Sequence, residues 1–512
     1  MQSQRPKRFV LPDFSGKTMS LPESWQSWTL LKEGNDILLL GLGPKEATIP
    51  DEIRKLSVYW LDEEKTLWQT KSNEHLPPLW QKVTQEEALA LFVHCKTFFY
   101  TPSLRLAPDF WQPFLGRLFA TDPVWQRGTE RDQNSPLYLL FGNDQALLHQ
   151  ELKEALREDG AREILTALPF VFEKQPEKAL EEACHGTLPA LAISVNGRGL
   201  DAQGRLVGLL QALGVPCALW FVDNPWHVLS GIKLPWWKRI PLFVTDPSFV
   251  PQLASEGARN VFFLPLAVAP HMWRDLPKTQ EEALARHHAC DPPLFVGRSR
   301  FPAKDHFFAA VRHSEALLED AKEGLVRESF SQPDIHYWYD RYRPRFWPGT
   351  DVRTPGFCAE ECSQLKRALW LQSGNACGMR IIGDKGWHTL LRNATILPCV
   401  DYYASLREYY YRASVTLNVT SLLLPQSLSQ RHFDVWAAGG FLLSDATKGL
   451  SLFPRELTEP ITLLSKSDLP ARIKHVVDHR EETIALRKAW RRLLAEEHSY
   501  RQRIHSIKEK VL

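Results

Sequence analysis

Short apolar runs separated by helix-forming stretches recur along most of this chain, and that alternation confines it to a parallel-sheet α/β architecture. One series opens at Pro136-Leu-Tyr-Leu-Leu-Phe-Gly142 and continues with apolar runs at 190–195, 216–222, 241–245 and 260–264. Helical patterns lie between them, at Ala146 to Glu158, Leu206 to Leu213 and Phe249 to Glu256. A second series starts at Pro293-Leu-Phe-Val-Gly297. After a helix-rich stretch it runs through Met379-Arg-Ile-Ile-Gly-Asp384, Ala394 to Leu397, Val415 to Asn418 and Phe441 to Leu443. Strands buried on both faces read as unbroken hydrophobic runs, and helices between them make the pairing parallel. Two doubly wound sheets are expected.

A chain of 512 residues is too long for one core and divides into about three domains at ~100–200 residues each. The patterns place an N-terminal α/β module at 1–130, a first half of the paired fold at 131–288, a second half at 289–466 and a charged helical tail at 467–512. In the N-terminal module, Asp36-Ile-Leu-Leu-Leu-Gly-Leu-Gly-Pro44 reads as a strand entering a glycine turn, and a second strand, Leu56 to Leu61, ends at Asp62-Glu63-Glu64. That is the skeleton of a nucleotide-binding βαβ unit, but Pro44-Lys-Glu-Ala47 stands where a third glycine belongs. A degenerate Rossmann-like module, able to bind S-adenosylmethionine or a partner chain, and an ordinary βα turn both fit.

With 62 basic and 60 acidic side chains, the chain has no global field to draw nucleic acid or an anionic membrane. The polar opening Met1-Gln-Ser-Gln-Arg-Pro-Lys-Arg8 lacks the apolar core of a signal peptide, and no run approaches the ~20 apolar residues of a membrane span. A cytoplasmic location is expected. The eight cysteines are scattered, and neither Cys358 with Cys362 nor His287-His288 near Cys290 has the paired spacing of a zinc site, so no metal is expected. The 18 tryptophans suit stacking on sugar rings, and equally suit an ordinary core.

The stretch richest in chemistry is Arg431-His-Phe-Asp-Val-Trp-Ala-Ala-Gly-Gly-Phe-Leu-Leu-Ser-Asp445. Arg431 and Asp434, at i and i+3, share a helix face before the break at Gly439 and Gly440. Such a face offers a cation to a phosphate and a carboxylate to a vicinal diol. Together with Leu417-Asn-Val-Thr420, Leu452-Phe453 and His498-Ser-Tyr-x-x-Arg503, it resembles the C-terminal half of CgeB-like, spore-maturation type glycosyltransferases. These are GT-B enzymes whose donor-binding half is of the kind called glycosyl transferases group 1. Ala192 to Asn196, Trp220 to Trp226, Phe243 to Asp246 and Val261 to Ala267 echo the family's other half, so the resemblance runs from about Ser135 to the C-terminus.

The resemblance implies two Rossmann-like halves facing a cleft, with ligands outside the carboxyl ends of the strands. The second half would hold a nucleotide-sugar donor. Gly297, Arg298 and Lys304 match the turn that takes the diphosphate, Gly383-Asp384 with Trp387 lies where the base would sit, and Asp434 matches the acid that takes the ribose hydroxyls. Asn418, Arg431, Gly439 and Gly440 complete this donor side. A solvated basic turn, a core tryptophan and an Asp434–Arg431 surface pair are the structural alternatives. The Glu usual in group 1, seven residues before Asp434, is Ser427 here, which departs from the retaining mechanism of that group.

On the first half Asn196, Asp223 and Asp246 each end a strand. Inverting transfer needs a base for the acceptor hydroxyl. Asp223, between Phe221-Val222 and Pro225-Trp226, is the leading candidate and Asp246 the next, although strand-end aspartates also cap helices. Pro235-Trp-Trp-Lys-Arg239 and His336 to Arg343 either bind an acceptor glycan or pack as loops. The expected activity is metal-independent transfer of a sugar from a nucleotide sugar to a hydroxyl of a protein or glycan, with no further cofactor. The alternative is a non-catalytic nucleotide- or glycan-binding, or scaffolding, protein of GT-B fold.

Overall fold

The computed structural model describes residues 8–22, 24–43, 49–63, 76–126, 136–167, 176–185, 187–273, 291–328 and 332–512. Strands β1 (Arg8–Pro12) and β2 (Thr18–Pro22) form an antiparallel hairpin. Next come β3 (Trp28–Lys32), β4 (Asp36–Leu40), β5 (Val58–Leu61), β6 (Trp80–Lys82) and β7 (Cys95–Tyr100), ordered β3-β7-β4-β5-β6. All of these pair in parallel except β3. Asp62, the first of the acids that follow β5, is buried and bound internally, accepting from Leu42 N–H at 3.0 Å and Glu63 N–H at 2.8 Å. The missing-glycine segment after Gly43 lies outside the described residues.

Two six-stranded sheets, parallel throughout, follow. The first holds β8 (Leu137–Phe141), β9 (Glu163–Ala167), β10 (Leu191–Val195), β11 (Cys217–Phe221), β12 (Leu242–Val244) and β13 (Val261–Phe263), ordered β13-β12-β11-β10-β8-β9. The second holds β14 (Leu294–Val296), β15 (Arg380–Ile382), β16 (Thr395–Leu397), β17 (Thr416–Asn418), β18 (Leu442–Asp445) and β19 (Thr462–Leu463), ordered β16-β15-β14-β17-β18-β19. Two doubly wound sheets facing a cleft are the GT-B arrangement, the fold class expected from sequence. Strands β9 and β19 were not anticipated.

The halves are joined on both sides of the cleft. Helices after β14 leave their own sheet and pack on the first half: Trp338, Trp347 and Cys358 share one core with Trp226 and Trp237. Trp347 donates its indole N–H to Ile232 O at 2.7 Å, and Arg353 donates to Ser230 Oγ at 3.0 Å. The long helix Arg353–Asn375 bridges two cores, since its Trp370 and Leu371 belong to the second. On the other side the C-terminal tail crosses back onto the first half. Trp490 stacks on Trp436 in the second half, whereas Tyr500, Ile504 and Ile507 sit in the first. Arg503 ties the crossing by donating to Pro265 O at 2.9 Å.

The N-terminal module is fixed through helix Pro108–Ala120, which lies against helix Arg205–Ala212. Gly116 and Gly208 permit the approach, because a Cβ at Gly116 would stand 2.2 Å from Gly208 O. Trp236, Trp237, Trp338 and Tyr339 are all buried, so the two aromatic-basic stretches serve packing. Among the described residues no helix is long and apolar enough to cross a membrane, and no three His, Cys, Asp or Glu side chains gather as a metal would require. His287, His288 and Cys290 lie outside the described residues.

Candidate active site

Open α/β sheets bind ligands at the carboxyl ends of their strands, where the strand order reverses. In the second sheet that point is between β14 and β17. A cavity of about 650 Å³ lies there, roofed by the ends of β10 and β11 from the first half. It gathers Gly297, Arg298, Arg300, Arg367, Thr420, Ser427, Ser429 and Arg431 from one half, and Arg198, Asp223 and His227 from the other.

Gly297 follows β14 and begins the turn through Arg298 and Arg300. Arg431 reaches the same point, donating through Nη1 to Val296 O at 2.6 Å and through Nε to Asn418 Oδ1 at 3.0 Å. Among the described residues its Nη2 has no hydrogen-bond partner. Burial pulls the Arg431 pKa below the usual arginine value and the Tyr410 hydroxyl opposes this, but a guanidinium stays charged. Arg298 is exposed, Arg300 pairs with Asp305 at 3.2 Å, and Arg367 binds Glu360 Oε1 at 3.2 Å and Ser299 O at 3.3 Å. This wall therefore presents guanidinium groups and hydroxyls around a glycine turn, a set that suits phosphate oxygens.

The facing wall offers one available carboxylate. Asp223 lies just beyond β11, open to the water of the cleft but surrounded by protein on most sides. That burial pushes its pKa above the usual range, while the Arg198 guanidinium and a bond from Asn196 Nδ2 at 2.8 Å pull against the shift. His227 is held neutral, its pKa pushed down to about 3 by burial and by Arg353. Its Nε2 has no hydrogen-bond partner among the described residues and abuts Gly356, where an added Cβ would stand only 2.1 Å away.

Several sequence-derived donor residues stand elsewhere. Asp434 is buried and both its oxygens are occupied: Oδ1 accepts from Ala269 N–H at 3.1 Å and Gln430 Nε2 at 2.9 Å, and Oδ2 from the Tyr402 hydroxyl at 2.7 Å. Residues i and i+3 sit about 60° apart around a helix. Arg431 accordingly faces the cleft while Asp434 faces Ala269, in the segment that follows β13, and Tyr402. Burial raises the Asp434 pKa to about 7. Lys304 is buried against Glu361 and lies over the Phe357 ring rather than in the phosphate turn.

Asp384 accepts from Ser299 N–H at 2.8 Å and Oγ at 2.5 Å, and Trp387, fully buried, donates its indole N–H to Gly297 O at 2.9 Å. With Gly383 they form the layer behind the turn and set its shape, so Trp387 is not exposed to a base. Asn418 is buried too and aims Arg431. Gly439 and Gly440 lie at the far end of helix Arg431–Ala437 from the cleft, with Gly440 against Tyr410 O. Asp246 also misses the cleft. It caps the turn Pro247–Phe249 and accepts from Gln426 N–H at 2.9 Å across the seam. Of the sequence-derived set, the cavity brings together Asp223, Gly297, Arg298 and Arg431. Arg198 follows a strand end and was findable by the same rule that found Asp223. Arg367 lies inside a long helix with no local signal.

Residues 363–509, most of this second half, match the profile of a family described as glycosyl transferase-like. No protein of curated function matches the chain. Solved structures it resembles include sucrose-phosphate synthase from Thermosynechococcus elongatus, at 12% identity and TM-score 0.40, covering 73% of this chain and 98% of that one. T4 phage BGT in complex with its UDP-glucose substrate gives 8% identity and TM-score 0.36, over 73% and 99%. An alpha-glucosyltransferase in complex with UDP-glucose and DNA containing an abasic site gives 9% and 0.43, over 74% and 99%. The two parallel sheets facing a cleft give the chain the GT-B fold. Its second half carries a glycosyl transferase-like domain.

Proposed function

We propose that this protein transfers a sugar from a nucleotide-sugar donor to a hydroxyl of a protein or glycan acceptor, as a CgeB-like glycosyltransferase. The observation that carries this reading is the pairing of walls across one cavity: Arg431 Nη2, without a hydrogen-bond partner among the described residues, beside the Gly297 turn, and the open carboxylate of Asp223 opposite. The donor diphosphate lies against Arg298, Arg431 and the backbone of the Gly297 turn. Asp223 takes the proton of the acceptor hydroxyl as its oxygen bonds to the anomeric carbon. The bond from that carbon to the diphosphate breaks, and the departing charge meets the arginines. Because these cations neutralise the leaving group, the reading requires no metal. The buried thiols of Cys95, Cys217, Cys358 and Cys362 suit a reducing compartment, hence the cytoplasm.

Asp223 must be ionised to act, so turnover is expected to fall as the pH drops through its raised pKa. The test is release of nucleoside diphosphate from a panel of UDP-, GDP-, ADP- and dTDP-sugars, beside thermal shifts with the free nucleotides. Turnover of one sugar with stabilisation by its nucleotide supports the reading. No stabilisation by any nucleotide overturns it.

A further inference from the structure

We infer that Asn196 is a positioning residue that holds Asp223 as a base, an inference resting on the function proposed above. Asn196 follows β10 and adopts a left-handed backbone with φ of 54°, in a turn where Gly197 and Gly199 are left-handed as well. Side chains seldom tolerate that region, asparagine being among those that do, and such outliers gather at working sites. Here the conformation delivers the amide to the neighbouring strand end. Its Oδ1 accepts from Val222 N–H at 3.0 Å and Asp223 N–H at 3.3 Å, backbone groups beyond the last rung of the sheet. Its Nδ2 donates to Asp223 Oδ2 at 2.8 Å. Chemistry fixes the orientation of the amide, since only oxygen can accept from two N–H groups and only nitrogen can give to a carboxylate.

The turn itself is braced. Ser194 Oγ donates to Arg198 O at 2.8 Å, and a Cβ at Gly199 would come within 2.8 Å of the Phe141 side chain. One carboxylate oxygen is thus clamped, and the other has no hydrogen-bond partner among the described residues, leaving it for an acceptor hydroxyl. The charged or titratable groups around Asp223 are Arg198 and His227 on its own wall, and Arg298, Arg300, Arg431 and the Arg367–Glu360 pair opposite. Asn196 supplies the only direct hydrogen bond to the carboxylate from any described residue.

The test is Asn196→Gly, because glycine keeps the left-handed backbone. Losing a bond that favours the ionised form must raise the Asp223 pKa. In protein labelled with ¹³C at the aspartate carboxyl carbons, the signal absent from Asp223→Asn identifies Asp223. Its titration midpoint should move up by about half a unit to one unit in Asn196→Gly. With water as acceptor and the panel's best nucleotide sugar, kcat should fall about 10- to 100-fold with the donor KM unchanged, and the acid limb should move up by the same amount. Adding Asn196→Gly to Asp223→Asn should cost nothing more. A lowered melting temperature with an unmoved Asp223 midpoint would make Asn196 a structural cap and overturn the inference. Full turnover in Asp223→Asn would instead remove the base assignment and this role with it.

Discussion

On the wall built by β10 and β11 a single carboxylate, Asp223, is held by one oxygen and open to the cleft, whereas on the wall built by β14 and β17 the carboxylates are consumed. Glu360 is bound to Arg367 and Phe301 N–H, Asp384 to Ser299, Asp434 to Ala269 and Tyr402, and Asp445 to Lys366 and Thr420. What remains available there is guanidinium. Two sheets of the same type, meeting at their strand ends, differ in what they leave available: a carboxylate beside Arg198 on one, guanidinium groups on the other. The contrast teaches that strand-end position alone does not leave an acid available to a ligand; an oxygen free of internal partners is needed as well.

The largest effect expected from this contrast is at Asp223. Asp223→Asn keeps shape but cannot take a proton, so turnover should fall by about 10²–10⁴ in a protein that melts normally. Near-normal turnover would break the comparison on its acceptor side. The opposite wall is probed by Arg431→Gln. Removing a charge-assisted hydrogen bond should weaken nucleoside diphosphate binding by about 1.5–3 kcal/mol, roughly 10- to 100-fold, measured by calorimetry.

Asp434 should behave differently from both. Asp434→Asn is expected to bind nucleoside diphosphate within about twofold of the natural protein, since a contact removed from the cleft would cost far more. Its signature is stability. With a folded pKa of about 7 against an ordinary 3.8, the folded state holds a proton that the unfolded state releases. Stability owed to this group therefore rises as pH falls through about 7 towards 4, and is lost above 7. The melting temperature of the natural protein should therefore fall relative to that of Asp434→Asn from about pH 6 to pH 8. A large loss of nucleotide affinity would return Asp434 to the donor site. The smallest expected effect is none at all: EDTA should leave turnover unchanged, and restoration by magnesium or manganese of a lost activity would show that the arginines do not suffice.

Most strands of the paired sheets were legible because parallel strands buried on both faces leave unbroken apolar runs, as in Leu191–Val195 and Cys217–Phe221. Edge strand β9, written Glu-Ile-Leu-Thr-Ala, and two-residue β19 carry no such run. The strand-end rule selected Asp223, Gly297 and Arg298, which line the cavity. It also selected Asp246 and Asp384, because an aspartate that caps a turn and one that meets a ligand occupy the same place in sequence. The direction of Asp434 depends on how helix Arg431–Ala437 is rotated against the segment that follows β13, which only the packing of Ala269, Tyr402 and Tyr500 decides. The packing of the helices after β14 onto the first half is likewise a tertiary choice, invisible to periodicity.

The division of labour between the walls is tested most directly by titrating the best-binding nucleoside diphosphate into Asp223→Asn and Arg431→Gln side by side. The expected result is natural affinity in Asp223→Asn and a loss of roughly 10- to 100-fold in Arg431→Gln. Natural affinity in Arg431→Gln, with the loss appearing in Asp223→Asn, would place the donor on the other wall and contradict the assignment.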